Sequence, residues 1–145
     1  AYSFNKNFNL NVSVLRFSNV FGSFSKHKIS AVHNFIKNSI RNKPLLIHGT
    51  GKQSRDFIHV SDLVKKILKI IKSKKIRTSY NINTNHYTSI LSIVDAIDDI
   101  SGKKNKVQFI KPPEGYNITP TYNRNKINKK LYNYLQNTYN WYRQL

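Results

Sequence analysis

Arg55 is the residue whose type and setting point most directly at chemistry. It follows the turn Gly49-Thr50-Gly51 and precedes the apolar run Phe57-Ile58-His59-Val60. A guanidinium offers a planar fork of N–H donors that can meet two oxygens of a diphosphate together. The competing reading is an Arg55–Asp56 surface pair, which stabilises little. A cation placed between a glycine turn and a buried strand is the better anchor. Asn19 leaves the end of another short apolar stretch, where its amide can bind a ligand or close a local turn. Other reactive groups are sparse. The five histidines show no metal-ligand spacing. Gly49-Thr50-Gly51 lacks the third glycine and the strand-to-helix setting of a dinucleotide fingerprint. No proton-transfer residue can be named, so no catalytic residue and no metal ligand are assigned.

Strands alternating with helices must position these groups, which predicts an α/β fold. Residues 1–8 read as the tail of a helix. The β-branched run Asn11 to Phe17 predicts a strand, ended by Gly22 and Ser23. Ser30 to Arg41 predicts a helix with Val32, Phe35, Ile36 and Ile40 at helical spacing, capped by Ser30 and stopped at Asn42-Lys43-Pro44. Leu45 to His48 and Phe57 to Val60 predict strands. A helix follows from Ser61 or Asp62 to about Ser73. Its apolar face is Leu63, Val64, Ile67, Leu68, Ile70 and Ile71; its wet face is Lys65, Lys66, Lys69 and Lys72. Ser79 to Ile82 predicts a strand, Ser89 to Ile100 a helix ended by Ser101-Gly102, and Val107 to Ile110 another strand. A loop at Pro112-Pro113-Glu114-Gly115 leads to a Tyr- and Asn-rich helix from about Arg124 to Gln144.

The 145 residues are enough for one modest domain with its own core. There is no Met, so the chain reads as part of a longer product. There is no Cys, which excludes disulfides and thiolate metal sites and fits a cytoplasmic location. No apolar run approaches the ~18–20 residues that cross a bilayer, and no signal-peptide pattern opens the chain. The formal charge of +19 suggests nucleic acid. However, the lysines are dispersed, and Lys, Asn, Ile, Tyr and Phe are all products of A/T-rich codons, so base bias is the preferred explanation. Asn11-Val12-Ser13 and Asn117-Ile118-Thr119 match glycosylation acceptors, as chance provides in an Asn-rich chain.

Five blocks occur in a fixed order. They are Leu15-Arg16-Phe17-Ser18-Asn19-Val20-Phe21-Gly22, then Pro44 to Gly49, then Gly49 to Asp62 with Gln53, Arg55 and Asp56, then Tyr80-Asn81-Ile82, and last Thr138 to Tyr142. Together these resemble the extended short-chain dehydrogenase/reductases, more narrowly the NAD-dependent nucleotide-sugar epimerases and dehydratases. The resemblance covers nearly the whole chain.

The resemblance implies the last strands and helices of a Rossmann-type NAD(P)-binding fold plus the smaller α/β substrate-binding domain. Residues 1–145 would be the C-terminal, mainly substrate-binding portion. NAD would be held mainly by an N-terminal half that is not in this chain, together with its glycine-rich turn and Tyr-x-x-x-Lys pair. Phe17 and Ser18 would pass near the nicotinamide. Asn19 would bond the sugar nucleotide near its phosphates, and Arg55 would grip the diphosphate. Leu46, His48 and Phe57 would line the base pocket, and the helix start Ser30-Ala31-Val32 would touch the nucleotide. The full-length enzyme would be a homodimer acting on a nucleotide sugar, with no specific nucleic acid and no membrane partner. A UDP-sugar 4-epimerase is the first expectation. A dTDP-glucose 4,6-dehydratase type, a non-catalytic remnant and a basic nucleic-acid-binding module are the rivals. The sequence departs from the family at Pro113, where an Arg is usual, and at Tyr116 and Asn123, where acids are usual; Lys126 is retained. The linker before the last helix is also missing.

Overall fold

The computed structural model describes residues 2–8, 10–73, 79–116 and 127–145. The expectations for Asn117-Ile118-Thr119, Asn123 and Lys126 lie outside these residues, as does Arg124; the last helix, expected from about Arg124, begins at Lys129.

Among the described residues five helices and seven strands follow one another. They are α1 (Tyr2–Phe8), β1 (Val14–Phe17), β2 (Asn19–Phe21), α2 (Ala31–Ile40), β3 (Leu45–His48), β4 (Ser54–His59), α3 (Val60–Lys72), β5 (Ser79–Ile82), β6 (Tyr87–Ser89), α4 (Ile90–Ser101), β7 (Val107–Ile110) and α5 (Lys129–Arg143). The helix boundaries have local causes. The Ser89 hydroxyl accepts from Ser92 N–H to start α4, and the Asn128 carbonyl oxygen accepts from Leu131 N–H to start α5. Gly102, at φ 69°, ends α4 in the left-handed conformation that a side chain resists.

Three small sheets form. β1 pairs with β5, and β3 with β7, both in parallel. β4 lies between β2, parallel to it, and β6, antiparallel. The register sets Asn19 opposite Phe57 and His48 opposite Ile110. The main core lies among α2, α4, α5, β3 and β4, where Phe35, Ile36, Leu45, Ile47, Ile93 and Leu135 are buried. Among the described residues a second cluster has only Ile58, Leu63 and Ile82 as buried members, from β4, α3 and β5.

Three expectations are corrected. The strand around Phe57 begins earlier, at Ser54, and Val60 already belongs to the next helix. The cap of α3 is His59, whose Nδ1 accepts from Ser61 N–H, so Asp62 sits inside the first turn. The supposed apolar face of α3 is only partly covered: Leu63 is buried, whereas Val64, Leu68 and Ile71 are 47%, 49% and 69% exposed. The strands β2 and β6 are additions. Each has three residues, too few for an alternation to register against the background.

Candidate functional site

β4 is the central positioning element. Alternation along a strand sends successive side chains to opposite faces. Arg55 and Phe57 face a cavity of about 580 Å³. Asp56 turns the other way and is buried, its carboxylate accepting from Thr84 N–H at 2.9 Å and from Thr84 Oγ1 at 2.9 Å. Asp56 is thus committed to the β5–β6 connection, and its loss would loosen the strand that carries Arg55.

Asn19 enters the same cavity from β2, and its Nδ2 donates to Asp56 O at 3.2 Å. Leu46 and His48 line it from β3. The Gln53 amide, 3% exposed, donates to His48 O at 2.6 Å and so pins the turn between β3 and β4. Gly51 makes that turn possible. Its φ is +73°, and a Cβ there would lie 2.9 Å from Leu91 Cγ.

The N-terminus of α2 forms the opposite wall through Ser30, Ala31 and Val32. Ser30 occupies the cap position without a side-chain cap bond, because its hydroxyl is engaged elsewhere. The first-turn amides of a helix have no intrahelical acceptor and carry a partial positive charge. Amides in this position, with Arg55 across the cavity, suit an anionic group between them. Phe35, Val32 and Ile47 give the same space an apolar floor. The combination of one cationic edge and one apolar floor fits a flat ring carrying phosphates.

The loop before α2 is fixed by His33, which is fully buried. Ser25 Oγ donates to Gly22 O at 2.6 Å. With that hydrogen spent, His33 Nε2 carries the proton it donates to Ser25 Oγ at 2.7 Å, and Nδ1 accepts from Ser30 Oγ at 2.7 Å. Burial pushes the imidazole down to about 4; the Gly22 carbonyl opposes the shift, and Lys28 and Lys37 add to it. Tyr142 OH, from α5, donates to Ser25 O at 2.9 Å and ties this loop to the main core. At the C-terminal end of β4, His59 stacks on Tyr134 with centroids 4.1 Å apart. Burial lowers its pKa, with Asp62 opposing.

Eight of the ten residues singled out in the sequence therefore line one cavity: Asn19, Ser30, Ala31, Val32, Leu46, His48, Arg55 and Phe57. Phe17 and Ser18 do not. Phe17 ends β1 half-exposed, and the Ser18 hydroxyl next to it is buried with no hydrogen-bond partner. Sequence reasoning missed Gln53, Asn34 and Asn38 as lining residues, and treated Tyr116 only as a replacement. The signal for Gln53 was present, since a polar side chain between a glycine turn and a strand is well placed to brace the turn. Among the described residues no group of three or more potential metal ligands converges, and no helix is long and apolar enough to cross a membrane.

Comparison with known proteins gives a consistent answer. The family profile described as NAD dependent epimerase/dehydratase matches residues 1–83. A Bacillus subtilis protein described as an uncharacterized UDP-glucose epimerase is 37% identical over 110 residues, covering 75% of this chain and 34% of that protein. A Dictyostelium discoideum dTDP-D-glucose 4,6-dehydratase is 32% identical over 99 residues, covering 68% of this chain and 23% of that protein. The solved structure of a Bacillus cereus UDP-glucuronic acid 4-epimerase, in complex with UDP-glucuronic acid and NAD, superposes with a TM-score of 0.85 at 27% identity. That superposition covers 99% of this chain and 48% of the epimerase, so the chain spans about half of a Rossmann-type epimerase structure.

Proposed function

The chain belongs to the NAD-dependent epimerase/dehydratase family, and on that premise we propose that it forms the sugar-nucleotide-holding part of a nucleotide-sugar 4-epimerase acting on a UDP-sugar. The observation that carries the reading is the single cavity shared by Arg55, Asn19 and the open N-terminus of α2. Arg55 holds the diphosphate by its fork. The α2 amides meet the same charge from the opposite wall. Asn19, at the end of β2, bonds the substrate beside the phosphates. Leu46, His48 and Phe57 bound the base. Binding at these points fixes where the sugar ring lies, and orientation is the contribution a binding half makes to rate.

NAD fits the residues present in one respect. The orphaned Ser18 hydroxyl and the half-exposed Phe17 ring stand together at the end of a parallel strand, an edge where α/β sheets hold ligands. When bound, NAD supplies hydride acceptance and return at the sugar, as the resemblance implies. The residues of this chain bind and orient; proton transfer at the sugar is assigned to a preceding NAD-holding half. In this proposal the chain alone is inactive, the complete enzyme is a cytoplasmic homodimer, and nucleic acid is no specific partner. Similarity to the dTDP-glucose dehydratase keeps a second substrate in view. Uracil and thymine differ by one methyl group at the base pocket, and UDP and dTDP also differ at the ribose 2′-hydroxyl, so UDP and dTDP titrations separate the two.

The test is calorimetric titration of UDP against the 145-residue chain and its Arg55→Ala variant. Removing a charge-assisted bond costs about 1.5–3 kcal/mol, so affinity should fall at least ~10-fold. Arg55→Lys should recover part of it, since a point charge lacks the fork. Equal UDP affinity for wild type and Arg55→Ala would remove Arg55 from the site.

A further inference from the structure

We propose that Tyr116 is a positioning residue of this site, acting through Arg55: its ring lies under the guanidinium, whose Nη1 also donates to Ser54 O at 3.0 Å, and the two contacts together orient the guanidinium towards the diphosphate. The inference rests on the UDP-sugar reading of the cavity and adds a residue to it.

Tyr116 lies well beyond β7, yet it lines the cavity. Its return is built into the chain. β7 runs parallel to β3, Ile110 stands opposite His48, and Gly49 N–H donates to Ile110 O at 2.9 Å. The segment after β7 therefore starts at the cavity rim. A four-residue turn from Pro113 to Tyr116 then reverses it, closed by Tyr116 N–H donating to Pro113 O at 3.1 Å. Gly115, third in that turn, has φ 74°, the left-handed value that favours glycine at this place. The turn delivers the phenol ring between two cavity residues. The Arg55 Cζ lies over it, 5.7 Å from the ring centroid. The His48 ring lies 5.8 Å from the same centroid, tilted by 31°.

A guanidinium laid on an aromatic face keeps all its donors in its own plane, pointing past the ring edge. Its attraction to the ring quadrupole uses none of those donors, while Arg55 Nη1 is held separately by Ser54 O at 3.0 Å. Arg55 is the only Lys or Arg among the described residues lining the cavity, so the direction of its fork decides how an anion is met. The His48 contact limits where the phenol can move. Tyr116 is thus held from one side and supports Arg55 on the other.

The experiment is a set of titrations with UDP and with uridine, followed by NMR chemical shifts, on the full 145-residue chain. The proteins are wild type, Tyr116→Leu, Tyr116→Phe, Arg55→Ala and the Arg55→Ala/Tyr116→Leu pair, each checked for an unchanged thermal transition. Tyr116→Leu should weaken UDP by about twofold to fivefold, the range of an accessible cation–π contact, and leave uridine unchanged. Tyr116→Phe should bind UDP like wild type, because the ring and not the hydroxyl does the holding. In the Arg55→Ala background, Tyr116→Leu should have no further effect. Unchanged UDP affinity in Tyr116→Leu would overturn the inference while leaving the binding site intact. Equal weakening of UDP and uridine would overturn it in favour of a ring stacked on the base, and so would full additivity with Arg55→Ala. Failure of the wild-type chain to bind UDP would sink the reading of the cavity, and this inference with it.

Discussion

The two clusters of the molecule are built from the same α/β pattern and finish differently. Around α2, α4 and α5, helices press on β3 and β4 until Ile36, Leu45, Ile93, Ile97 and Leu135 are fully enclosed. Asp98, near the end of α4, is closed off as well. Asp98 accepts from Asn105 N–H at 3.0 Å and pairs with Lys104 at 3.0 Å, which holds its carboxyl below the usual range although burial pushes it up. Around β1, β5 and α3, only three apolar residues are enclosed. Phe4, Phe8 and Leu10 before β1, and Val64, Leu68 and Ile71 on α3, face outward. Parallel strands are ordinarily covered on both faces, and β1 pairs with β5 alone among the described strands. The comparison teaches that the cavity hangs on the finished cluster. Its walls from α2 and β3 come from the enclosed side, whereas Phe17 and Ser18, which do not line it, belong to the open one.

The sharpest test of that contrast is a single truncation. Leu135→Ala, at a fully enclosed site on α5, should cost about 3 kcal/mol in urea denaturation, within the range of buried leucine truncations. A cost under ~1 kcal/mol would mean that the enclosed cluster does not carry the stability assigned to it.

The next effect tests how well the enclosed side excludes charge. His33 titrates near 6.5 in the unfolded chain and at about 4 when folded. Between those values the unfolded state binds the extra proton, so stability falls as pH drops from about 6.5 towards 4, and levels off below. The full loss is roughly 3 kcal/mol, from ~1.4 kcal/mol per pKa unit. Urea denaturation at pH 7.5, 5.5 and 4.5 measures it. His33→Gln should be less stable at pH 7.5 and lose most of this slope. A wild-type curve flat across that span would show that the imidazole is reached by water.

The smallest effect comes from the open side. Leu68→Glu replaces an outward-facing leucine on α3, and in this chain it should change stability by no more than ~0.5 kcal/mol. A loss above ~2 kcal/mol in the same denaturation assay would mean that α3 is covered in solution, and the contrast between the two clusters would fail.

Much of this was legible in the sequence, and the reason is local. Ser89 before an apolar-periodic run, and Gly102 after it, state where α4 begins and ends because capping bonds and left-handed backbone are satisfied within a few residues. The glycine turn before Arg55 placed that cation between the turn and a strand for the same kind of reason. The order and type of every element except the three-residue strands β2 and β6, the composition limits and the residues of the five motif blocks were therefore legible in the sequence. Tertiary structure decided what meets what. Periodicity reports that Val64, Leu68 and Ile71 share a side of α3, but not whether anything lies against it. The burial of His33 depends on Ser25 and Ser30 closing around it, which the pattern of α2 alone does not specify. Tyr116 reaches Arg55 only because β7 pairs with β3 and the Pro113–Tyr116 turn reverses the chain at the rim. Contacts between segments distant in sequence are set by which faces pack, and packing is a property of the whole chain.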